Sequence, residues 1–301
     1  FKYNISNGNW IQEYGTQSGK LETMDLRKAM KNSLSEEIKN LADDFNKSLD
    51  IEKGDIAKFV FIKTPENEAE NRILIAIHHL AIDGASWRIL LDDFEMILTE
   101  LQKNSKADLG SKSSSYRQWY EALEQFGKSN RLLSQIKYWE KAEKSYEPIF
   151  TDTNYSEVVK SKDIETESVR LDAAHTQLLL QEVPRVYHTE INDMLLCALA
   201  ITLCEKGATE KIVIGMEGHG RESISENIDT SRTVGWFTSL FPLLLETVPG
   251  GSLSDSIKSV KEQLRKVPDK GLGYGVLKYI NKEEKLNSGK SWDIVFNYLG
   301  Q

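Results

Sequence analysis

The sequence predicts a mixed fold of helices and strands, α/β or α+β, arranged in two lobes. Strand-like runs and amphipathic helical stripes occur in both halves of the 301 residues, and one stretch between the halves has neither pattern. That stretch, residues 146–164, contains Pro, Asp, Thr, Asn and Ser in place of a periodic pattern, which is typical of a linker. We therefore expect an N-terminal lobe over residues 1–150 and a C-terminal lobe over residues 151–301.

The first half of the chain begins with an extended segment and then alternates helices with strands. A helix is predicted from Ser35, an N-cap candidate followed by Glu36 and Glu37, because Ile38 and Leu41 begin an apolar stripe at helical spacing. The predicted elements are an extended segment over 1–21, two strands over 56–63 and 72–79 that pair as a hairpin-like unit, an amphipathic helix after Gly84, and a helical pair over 116–144.

The second half repeats this alternation, with an irregular Gly-rich stretch after one strand. We predict strands over 167–171, 211–216, 235–246 and 293–298, and helices over 173–182, 189–205 and 253–267. Because neither half is all helix or all strand, both lobes are expected to combine a sheet with helices.

The composition is that of a folded protein, and its charge narrows the range of partners. The chain is 40% apolar with a net charge of −8, which argues against nucleic-acid binding because phosphate contacts need a surplus of Lys and Arg. No apolar stretch approaches the roughly 18–20 residues that span a bilayer, so no membrane insertion is expected. Cys197 and Cys204 lie seven residues apart in an apolar helical run, as buried thiols in a reducing cytosol would. We therefore expect a cytoplasmic protein.

The first candidate site is the pair His78 and His79 at the end of a strand-like run. On an extended strand their side chains point to opposite faces, so one can pack inside while the other faces a cavity. Asp83 and Gly84 then make the turn into the next helix, where Asp bonds its own backbone and Gly accepts unusual dihedral angles. Three hypotheses compete: structural histidines, a metal site or a general base. Adjacent strand histidines chelate one ion poorly, which disfavours a metal, and spacing alone does not decide between the other two.

The second candidate site is the run E-G-H-G-R-E over residues 217–222, after the strand 211–216. Its glycines allow a substrate to approach the backbone closely, and Glu217 beside Arg221 suits a positioned acid–base group. A solvated charged turn is the alternative. The runs 232–238 and 296–300, taken alone, indicate strand core. The Gly-rich run 271–275 lacks the strand–turn–helix context of a dinucleotide-binding loop, so no such cofactor is expected.

Taken together and in this order, these runs resemble the condensation/epimerization superfamily of nonribosomal peptide synthetases. The superfamily motif H-H-x-x-x-D-G is matched by His78, His79, Asp83 and Gly84. Five further matches resemble the epimerization branch, and the six together are spread from His78 to Gly300, a span of about three quarters of the chain. These five are Ser86-Trp87, E-G-H-G-R-E over 217–222, T-V-G-W-F-T over 233–238, G-x-G-Y-G over 271–275 and F-N-Y-L-G over 296–300.

The resemblance implies two chloramphenicol-acetyltransferase-like lobes that form a V-shaped pseudo-dimer with a central tunnel. It implies, as substrate, an L-aminoacyl or L-peptidyl thioester on the phosphopantetheine arm of a carrier protein, and as reaction the inversion of the α-carbon. Inversion needs proton removal on one face and proton return on the other, so we assign these roles to His79 and Glu217. No metal and no cofactor of the domain's own are expected.

The resemblance also implies supporting residues and partners. Asp83 is expected to shape its loop, whereas Arg221, Asn297 and Tyr298 match family positions near the site and are expected to orient Glu217 or stabilise the enolate oxygen. The expected partners are a peptidyl carrier domain fused upstream and a downstream condensation domain. The remaining expected site residues, which surround the shared motif, are His78, Gly84, Ser86 and Trp87.

Two alternatives share this fold. A condensation domain that joins two carrier-bound substrates would not need Glu217, and a non-catalytic module that only docks carriers could lose His79 without consequence. Family members extend beyond both ends of this chain, and their first N-terminal motif has no counterpart here. We therefore expect a fragment of a longer domain.

Overall fold

The computed structural model describes residues 1–15, 19–30, 32–149, 151, 160–287, 289 and 291–300. The chain divides into two compact units, one made of Phe1–Tyr116 and Asp229–Phe237 and the other of Arg117–Ile228 and Thr238–Gln301. A short segment from within the second half of the sequence thus belongs to the first unit. The predicted lobe boundary at 150/151 falls in a linker, residues 146–164, of which 150 and 152–159 lie outside the described residues, and it stays a prediction.

The first unit contains two small sheets and two long helices in its described part. The first two strands form an antiparallel hairpin, and the other three form a sheet of order β3-β4-β5, in which β4 is parallel to β3 and antiparallel to β5. The elements are β1 (Lys2–Ser6), β2 (Asn9–Glu13), β3 (Leu21–Asp25), α1 (Leu34–Lys47), β4 (Ala57–Lys63), β5 (Arg72–Ile77) and α2 (Gly84–Gln102).

Burial along these elements follows the sequence pattern. In the central strand β4, Val60 and Ile62 are fully buried because alternate side chains of a strand share one face. Helix α1 begins one residue before the predicted cap. Ser33 stands at the cap position, and its hydroxyl donates to the carboxylate of Glu37 (2.7 Å) without making a cap bond to the backbone. Ser35 therefore lies inside the first turn, and its predicted N-cap role is wrong.

The second unit packs helices against one three-stranded sheet of order β7-β6-β8. Strand β6 is antiparallel to β7 and parallel to β8. In chain order the elements are α3 (Tyr116–Phe126), α4 (Asn130–Leu133), α5 (Ile136–Lys144), α6 (Ala173–Gln177), a π-helical turn (Leu178–Glu182), α7 (Val183–Tyr187), α8 (Ile191–Gly207), β6 (Lys211–Gly218), β7 (Ser239–Glu246), α9 (Leu253–Arg265), α10 (Leu272–Gly275), a second π-helical turn (Val276–Ile280) and β8 (Val295–Phe296).

Two apolar clusters hold this unit together. One packs α8 and α9 against β6 and β7 and contains both free cysteines, whose thiols are buried as predicted. The other surrounds Trp139 of α5 with Phe241 of β7 and Tyr274 of α10. The predicted strand over 167–171 is wrong, because Val169 and Leu171 are exposed and the stretch has no strand partner among the described residues. Within those residues, no helix has the length and apolarity needed to cross a bilayer.

Candidate active site

The two motif histidines lie where β5 ends in the first unit. The strand stops at Ile77, the N–H of His78 donates to the carbonyl of Ile56 (2.8 Å), and His79 opens a single 3₁₀ turn. The Nδ1 atom of His78 accepts a hydrogen bond from the N–H of Leu80 (3.2 Å), which caps this turn. Because the cap ends the strand, the prediction that both histidines lie on an extended strand is wrong for His79.

The two histidines therefore differ in surroundings. His78 is half-buried, and since its Nδ1 is an acceptor, its neutral ring carries the hydrogen on Nε2. His79 is exposed, and its ring lies edge-on to that of Trp236, with 5.2 Å between the ring centroids and 66° between the planes. His78 thus serves as a structural cap, whereas His79 is open to solvent on the side that Trp236 does not cover.

Asp83 is a buried carboxylate that joins two parts of the first unit. Its Oδ1 accepts from the N–H of Ser86 (2.7 Å), which is the N-cap bond of α2, and its Oδ2 accepts from the N–H of Phe237 (3.0 Å). Hydrogen bonds to a carboxylate are stronger than neutral ones, so Asp83 sets the shape of the loop. Gly84 has no positive φ and open space where a Cβ would stand. The prediction that Gly84 is needed for unusual dihedral angles is therefore wrong.

Ser86, on the first turn of α2, is a second buried link to the same segment. Its side chain is 0% exposed, and its hydroxyl both donates to the carbonyl of Gly235 (2.9 Å) and accepts from the N–H of Gly235 (3.1 Å). A Cβ on Gly235 would stand 2.6 Å from Cδ2 of Tyr116, so only glycine fits there. Trp87 is half-buried, and its N–H donates to the carbonyl of Asp83 (3.1 Å). The sequence motif assigned no role to Ser86, and the structure shows a clamp.

Further contacts hold the segment Asp229–Phe237 in the first unit. Arg232 forms an ion pair with Asp93 of α2, and the hydroxyl of Tyr116 donates to the carbonyl of Trp236 (2.7 Å). Trp236, the residue against His79, is thereby held at its own carbonyl and at both neighbouring residues. The prediction that a strand starts at residue 235 is wrong, because these polar contacts replace strand pairing and β7 begins only at Ser239.

In the second unit, Glu217 is the penultimate residue of β6 and is half-buried. The ladder with β7 places Glu217 opposite Leu240 and Gly218 opposite Ser239. The strand thus extends two residues beyond its predicted end at Met216. Glu217 is held by strand pairing and not by a loop.

The run after β6 is organised around His219. Its Nδ1 accepts from the N–H of Arg221 (3.0 Å), and its Nε2 lies 2.9 Å from Oε1 of Glu222. Because Nδ1 is an acceptor, Nε2 carries the hydrogen and donates to the carboxylate. Gly220 between them has a φ of 68°, in the left-handed region that favours glycine. The half-buried Arg221 and Glu222 make this run more ordered than a solvated charged turn.

Asn297 and Tyr298 reach the same end of the sheet as Glu217. Strand β8 runs parallel to β6, and its last residue, Phe296, pairs with Met216, so Asn297 follows the end of β8 just as Glu217 follows Met216 in β6. Asn297 is exposed and Tyr298 is half-buried. The structure thus places Glu217, Asn297 and Tyr298 near the same end of the sheet along the chain.

The family follows from the sequence match. The family described as Condensation domain matches residues 5–301. The chain belongs to the condensation-domain family. It is 40% identical over 303 residues to surfactin synthase subunit 2 of Bacillus subtilis (strain 168), covering 99% of this chain and 8% of that protein. It is 38% identical over 270 residues to bacitracin synthase 3 of Bacillus licheniformis, covering 90% of this chain and 4% of that protein. The chain therefore spans less than a tenth of the length of these relatives.

Solved structures of condensation-family domains share the fold. The epimerization domain from the third module of tyrocidine synthetase B matches with a TM-score of 0.86 at 32% identity, covering 99% of this chain and 67% of that one. The first condensation domain of the calcium-dependent antibiotic synthetase, in complex with a substrate analogue, matches with a TM-score of 0.71 at 14% identity over the same shares of the two chains. The second likeness shows the fold alone. The mixed α/β fold, predicted from the pattern of strands and helices and implied by the family resemblance, is confirmed.

The G-x-G-Y-G run of this condensation-family chain has a core role that the sequence did not reveal. The hydroxyl of the fully buried Tyr274 donates to Oε1 of Glu143 (2.6 Å), and Nζ of Lys278 lies 2.8 Å from both oxygens. Burial raises the pKa of Tyr274 to about 12. A buried carboxylate needs such partners. The sequence does offer one indication that Glu143 is buried. It stands one helical turn after Trp139, on the apolar face of α5.

The proposed proton-transfer residues belong to different units. His79 is in the first unit, and Glu217, Arg221, Asn297 and Tyr298 are in the second. The assignment of His79 and Glu217 to one reaction stays a prediction. In the part of the chain that the structure describes, no three His, Cys, Asp or Glu side chains are grouped as ligands of a metal ion would be.

Proposed function

We propose that this chain inverts the α-carbon of an aminoacyl or peptidyl group held as a thioester on the phosphopantetheine arm of a carrier domain. The observation that carries the proposal is the half-buried Glu217 near the end of β6, directly after the residue that pairs with the last residue of β8. Joining two carrier-bound substrates would not need this carboxylate. The higher identity to an epimerization domain (32%) than to a condensation domain (14%) supports the same choice.

The chemistry needs one base and one acid. The thioester carbonyl acidifies the adjacent Cα–H, so a base can take the proton while the C–H electron pair moves onto the carbonyl oxygen. The resulting enolate takes a proton from an acid on its opposite face, and the carbonyl forms again with the configuration inverted. No atom is gained or lost overall. His79 and Glu217 are assigned these two transfers, each contributing typically about 10²–10⁴-fold to the rate.

The neighbours of Glu217 suit the developing charge. Hydrogen-bond donors aimed at an oxyanion stabilise it most when they are fixed before the reaction. The amide of Asn297, the phenol of Tyr298 and the guanidinium of Arg221 are the donors assigned to the enolate oxygen or to the carboxylate of Glu217. His79, for its part, lies against Trp236, whose backbone is clamped to α2.

The test follows proton exchange and configuration together. The full-length protein that contains this sequence receives an L-aminoacyl or L-peptidyl thioester on a loaded carrier in D₂O. Deuterium at Cα is measured by mass, and the configuration of the released acid by chiral chromatography. We expect deuterium to enter and a mixture of L and D product to form.

Variants assign the roles. His79→Ala and Glu217→Gln are each expected to lower the inversion rate by about 100-fold or more while carrier binding survives. The matched controls are His175→Ala and Glu226→Gln, which change exposed residues of the same types and are expected to leave the rate unaltered. Full inversion by either site variant would overturn the two-residue assignment. Absence of exchange in the unaltered protein, with an amide formed once an acceptor carrier is added, would establish condensation instead.

The proposed reaction also defines the partners. The substrate arrives on the 4'-phosphopantetheine of a peptidyl carrier domain, proposed to be fused upstream, and the D-configured product passes to a downstream condensation domain. The relatives are large synthetases, of which this chain matches only a small part. A carrier fused to the same polypeptide would meet the domain at high effective concentration, so weak docking would suffice.

A further inference from the structure

The turn Pro268–Gly271 in the second unit holds three consecutive residues in the left-handed region of backbone space. The φ angle is 44° at Asp269, 48° at Lys270 and 89° at Gly271. A residue with a Cβ is disfavoured there, so Asp269 and Lys270 keep this conformation only because their surroundings hold it. Strain of this kind points to a local requirement for one backbone shape.

The side chain of Asp269 holds the turn. It forms an ion pair with Arg131 of α4, and its Oδ2 accepts a hydrogen bond from Nε2 of Gln135 (2.6 Å). The Oε1 of Gln135 in turn accepts from the indole N–H of Trp139 (3.2 Å), and the side chain of Trp139 is wholly buried. The carboxylate thus ties the strained turn to the core of the unit.

The held turn packs against the end of β6. A Cβ added to Gly218 would stand 3.4 Å from the carbonyl oxygen of Lys270, so this carbonyl covers the residue that follows Glu217. The ammonium of Lys270 lies 3.5 Å from Oε2 of Glu222, on the run beyond the strand. The turn therefore contacts the chain on the C-terminal side of Glu217 at two points.

The other end of the turn is fixed to the neighbouring strand. A Cβ on Gly271 would overlap the ring of Phe241, which lies opposite Met216 in the ladder. Because side chains alternate along a strand, Glu217 points to the face opposite the one that Gly218 presents to Lys270. The turn thus packs against β6 at Gly218, next to the residue that carries the carboxylate and on the opposite face of the strand.

We infer that the Pro268–Gly271 turn is a positioning element for Glu217, with Asp269 as the positioning residue. The inference rests on the proposed function, in which Glu217 transfers a proton at the α-carbon. Proton transfer requires heavy atoms at hydrogen-bond distance, and a misplacement of about 1 Å can lower a rate by about 10²-fold. A β6 end that is clamped from behind keeps the carboxylate within that tolerance.

The test variant is Asp269→Gly in the full-length protein. Glycine removes the contacts with Arg131 and Gln135 and lets the turn leave the left-handed conformation. We expect kcat for inversion to fall about tenfold while KM for the loaded carrier stays within twofold. Asp269→Asn keeps a hydrogen-bonding side chain that tolerates the left-handed region, and it is expected to restore at least half of the kcat. Asp172→Gly, a matched exposed aspartate of the same unit, is the control and is expected to leave kcat unaltered.

A second arm separates positioning from general loss of structure. In a Glu217→Asp background the carboxylate is already displaced, so Asp269→Gly is expected to lower kcat by less than threefold there. A full tenfold loss in both backgrounds would show that Asp269 does not act through Glu217. If Asp269→Gly lowers the melting temperature by more than a few degrees, Arg131→Leu replaces it, with an expected threefold loss of kcat at unaltered KM.

The outcomes distinguish this inference from the proposed function. An unaltered kcat in a well-folded Asp269→Gly or Arg131→Leu variant would overturn the positioning role while leaving the reaction intact. Full inversion by Glu217→Gln, measured in parallel, would instead overturn the assigned role of Glu217. A tenfold loss with Asp269→Gly, its rescue by Asp269→Asn and its disappearance in the Glu217→Asp background together support the positioning turn.

Discussion

The surroundings of His79 and of Glu217 share one local hydrogen bond but are held in place by different structural elements. In each, a motif histidine caps a backbone N–H two residues ahead with its Nδ1: His78 accepts from Leu80 at 3.2 Å, and His219 accepts from Arg221 at 3.0 Å. In each, the proposed proton-transfer residue is close in sequence to that histidine. The capping histidine and the proposed proton-transfer residue are therefore different residues in both regions.

The two regions differ in the contacts that hold their backbone in place. Around His79, buried side chains bond to backbone about 150 residues away, through Asp83 to Phe237 and Ser86 to Gly235. Around Glu217, β6 is paired with a strand on each side and supported by a strained turn. Losing a polar side chain in the first region should therefore lower stability, whereas small changes in the second should alter the reaction rate more than stability.

The largest expected effect is that of Asp83→Ala. The change leaves the N–H groups of Ser86 and Phe237 buried without their partner, so we expect the free energy of unfolding to fall by about 3–5 kcal/mol. Urea unfolding measures this loss. The control is Asp172→Ala, an exposed aspartate at the N-cap of α6, which is expected to lose about 1 kcal/mol. Equal losses of unfolding free energy in the two variants would show that the burial of Asp83 does not make its hydrogen bonds more stabilising than those of an exposed aspartate.

A smaller loss is expected for Ser86→Ala. The N–H and the carbonyl of Gly235 both lose their hydroxyl partner in a site closed to water, which predicts a loss of about 2–3 kcal/mol. Hydrogen exchange gives a local measurement, because the Gly235 amide should exchange faster. Ser134→Ala, which removes an exposed hydroxyl bonded to the carbonyl of Arg131, should change stability by less than about 0.5 kcal/mol. If the Gly235 amide exchanges at an unaltered rate, the hydrogen bonds from Ser86 do not stabilise this region.

The buried group around Tyr274 predicts an alkaline effect that belongs to the second unit. Burial raises the pKa of Tyr274 from 10.0 to about 12, so its contribution to stability is fully present below pH 10 and is lost as the pH rises towards 12. The expected loss is on the order of 2 kcal/mol. Urea unfolding at several alkaline pH values measures it. The Tyr274→Phe variant, which cannot ionise, should show a flatter dependence, and parallel curves would exclude the tyrosine as its source.

The smallest expected effect on stability is that of Gly218→Ala, and it should be visible mainly in the rate. The new Cβ would stand 2.8 Å from the hydroxyl oxygen of Ser239, whose side chain can rotate away, so we expect a loss of at most about 1 kcal/mol. The adjustment at Ser239, which pairs with Gly218 beside Glu217, shifts this end of β6 slightly, and kcat for inversion should fall about tenfold. Gly275→Ala, where a Cβ meets open space, is the control. A large loss of stability at unaltered kcat would contradict the expectation that changes near Glu217 alter the rate more than the stability.

Local sequence pattern determined most of the secondary structure. The apolar stripe beginning at Ile38, the strand runs on either side of residues 64–71 and the long helix after Gly84 are signals carried by neighbouring residues, so helices and strands formed close to where they were predicted. The order of six motifs likewise placed the chain in its family and pointed to His79 and Glu217. These features depend on residue type and spacing, which the sequence states directly.

Only the tertiary structure decided the features that depend on partners distant in the chain. The transfer of Asp229–Phe237 to the first unit and the buried Glu143 both rest on contacts that no local period encodes. The exposed stretch 167–171 shows the converse, because a strand pattern without a neighbouring strand leaves its backbone groups to water. Hydrogen bonds between distant residues satisfy buried polar groups, and their location is settled only when the chain has folded.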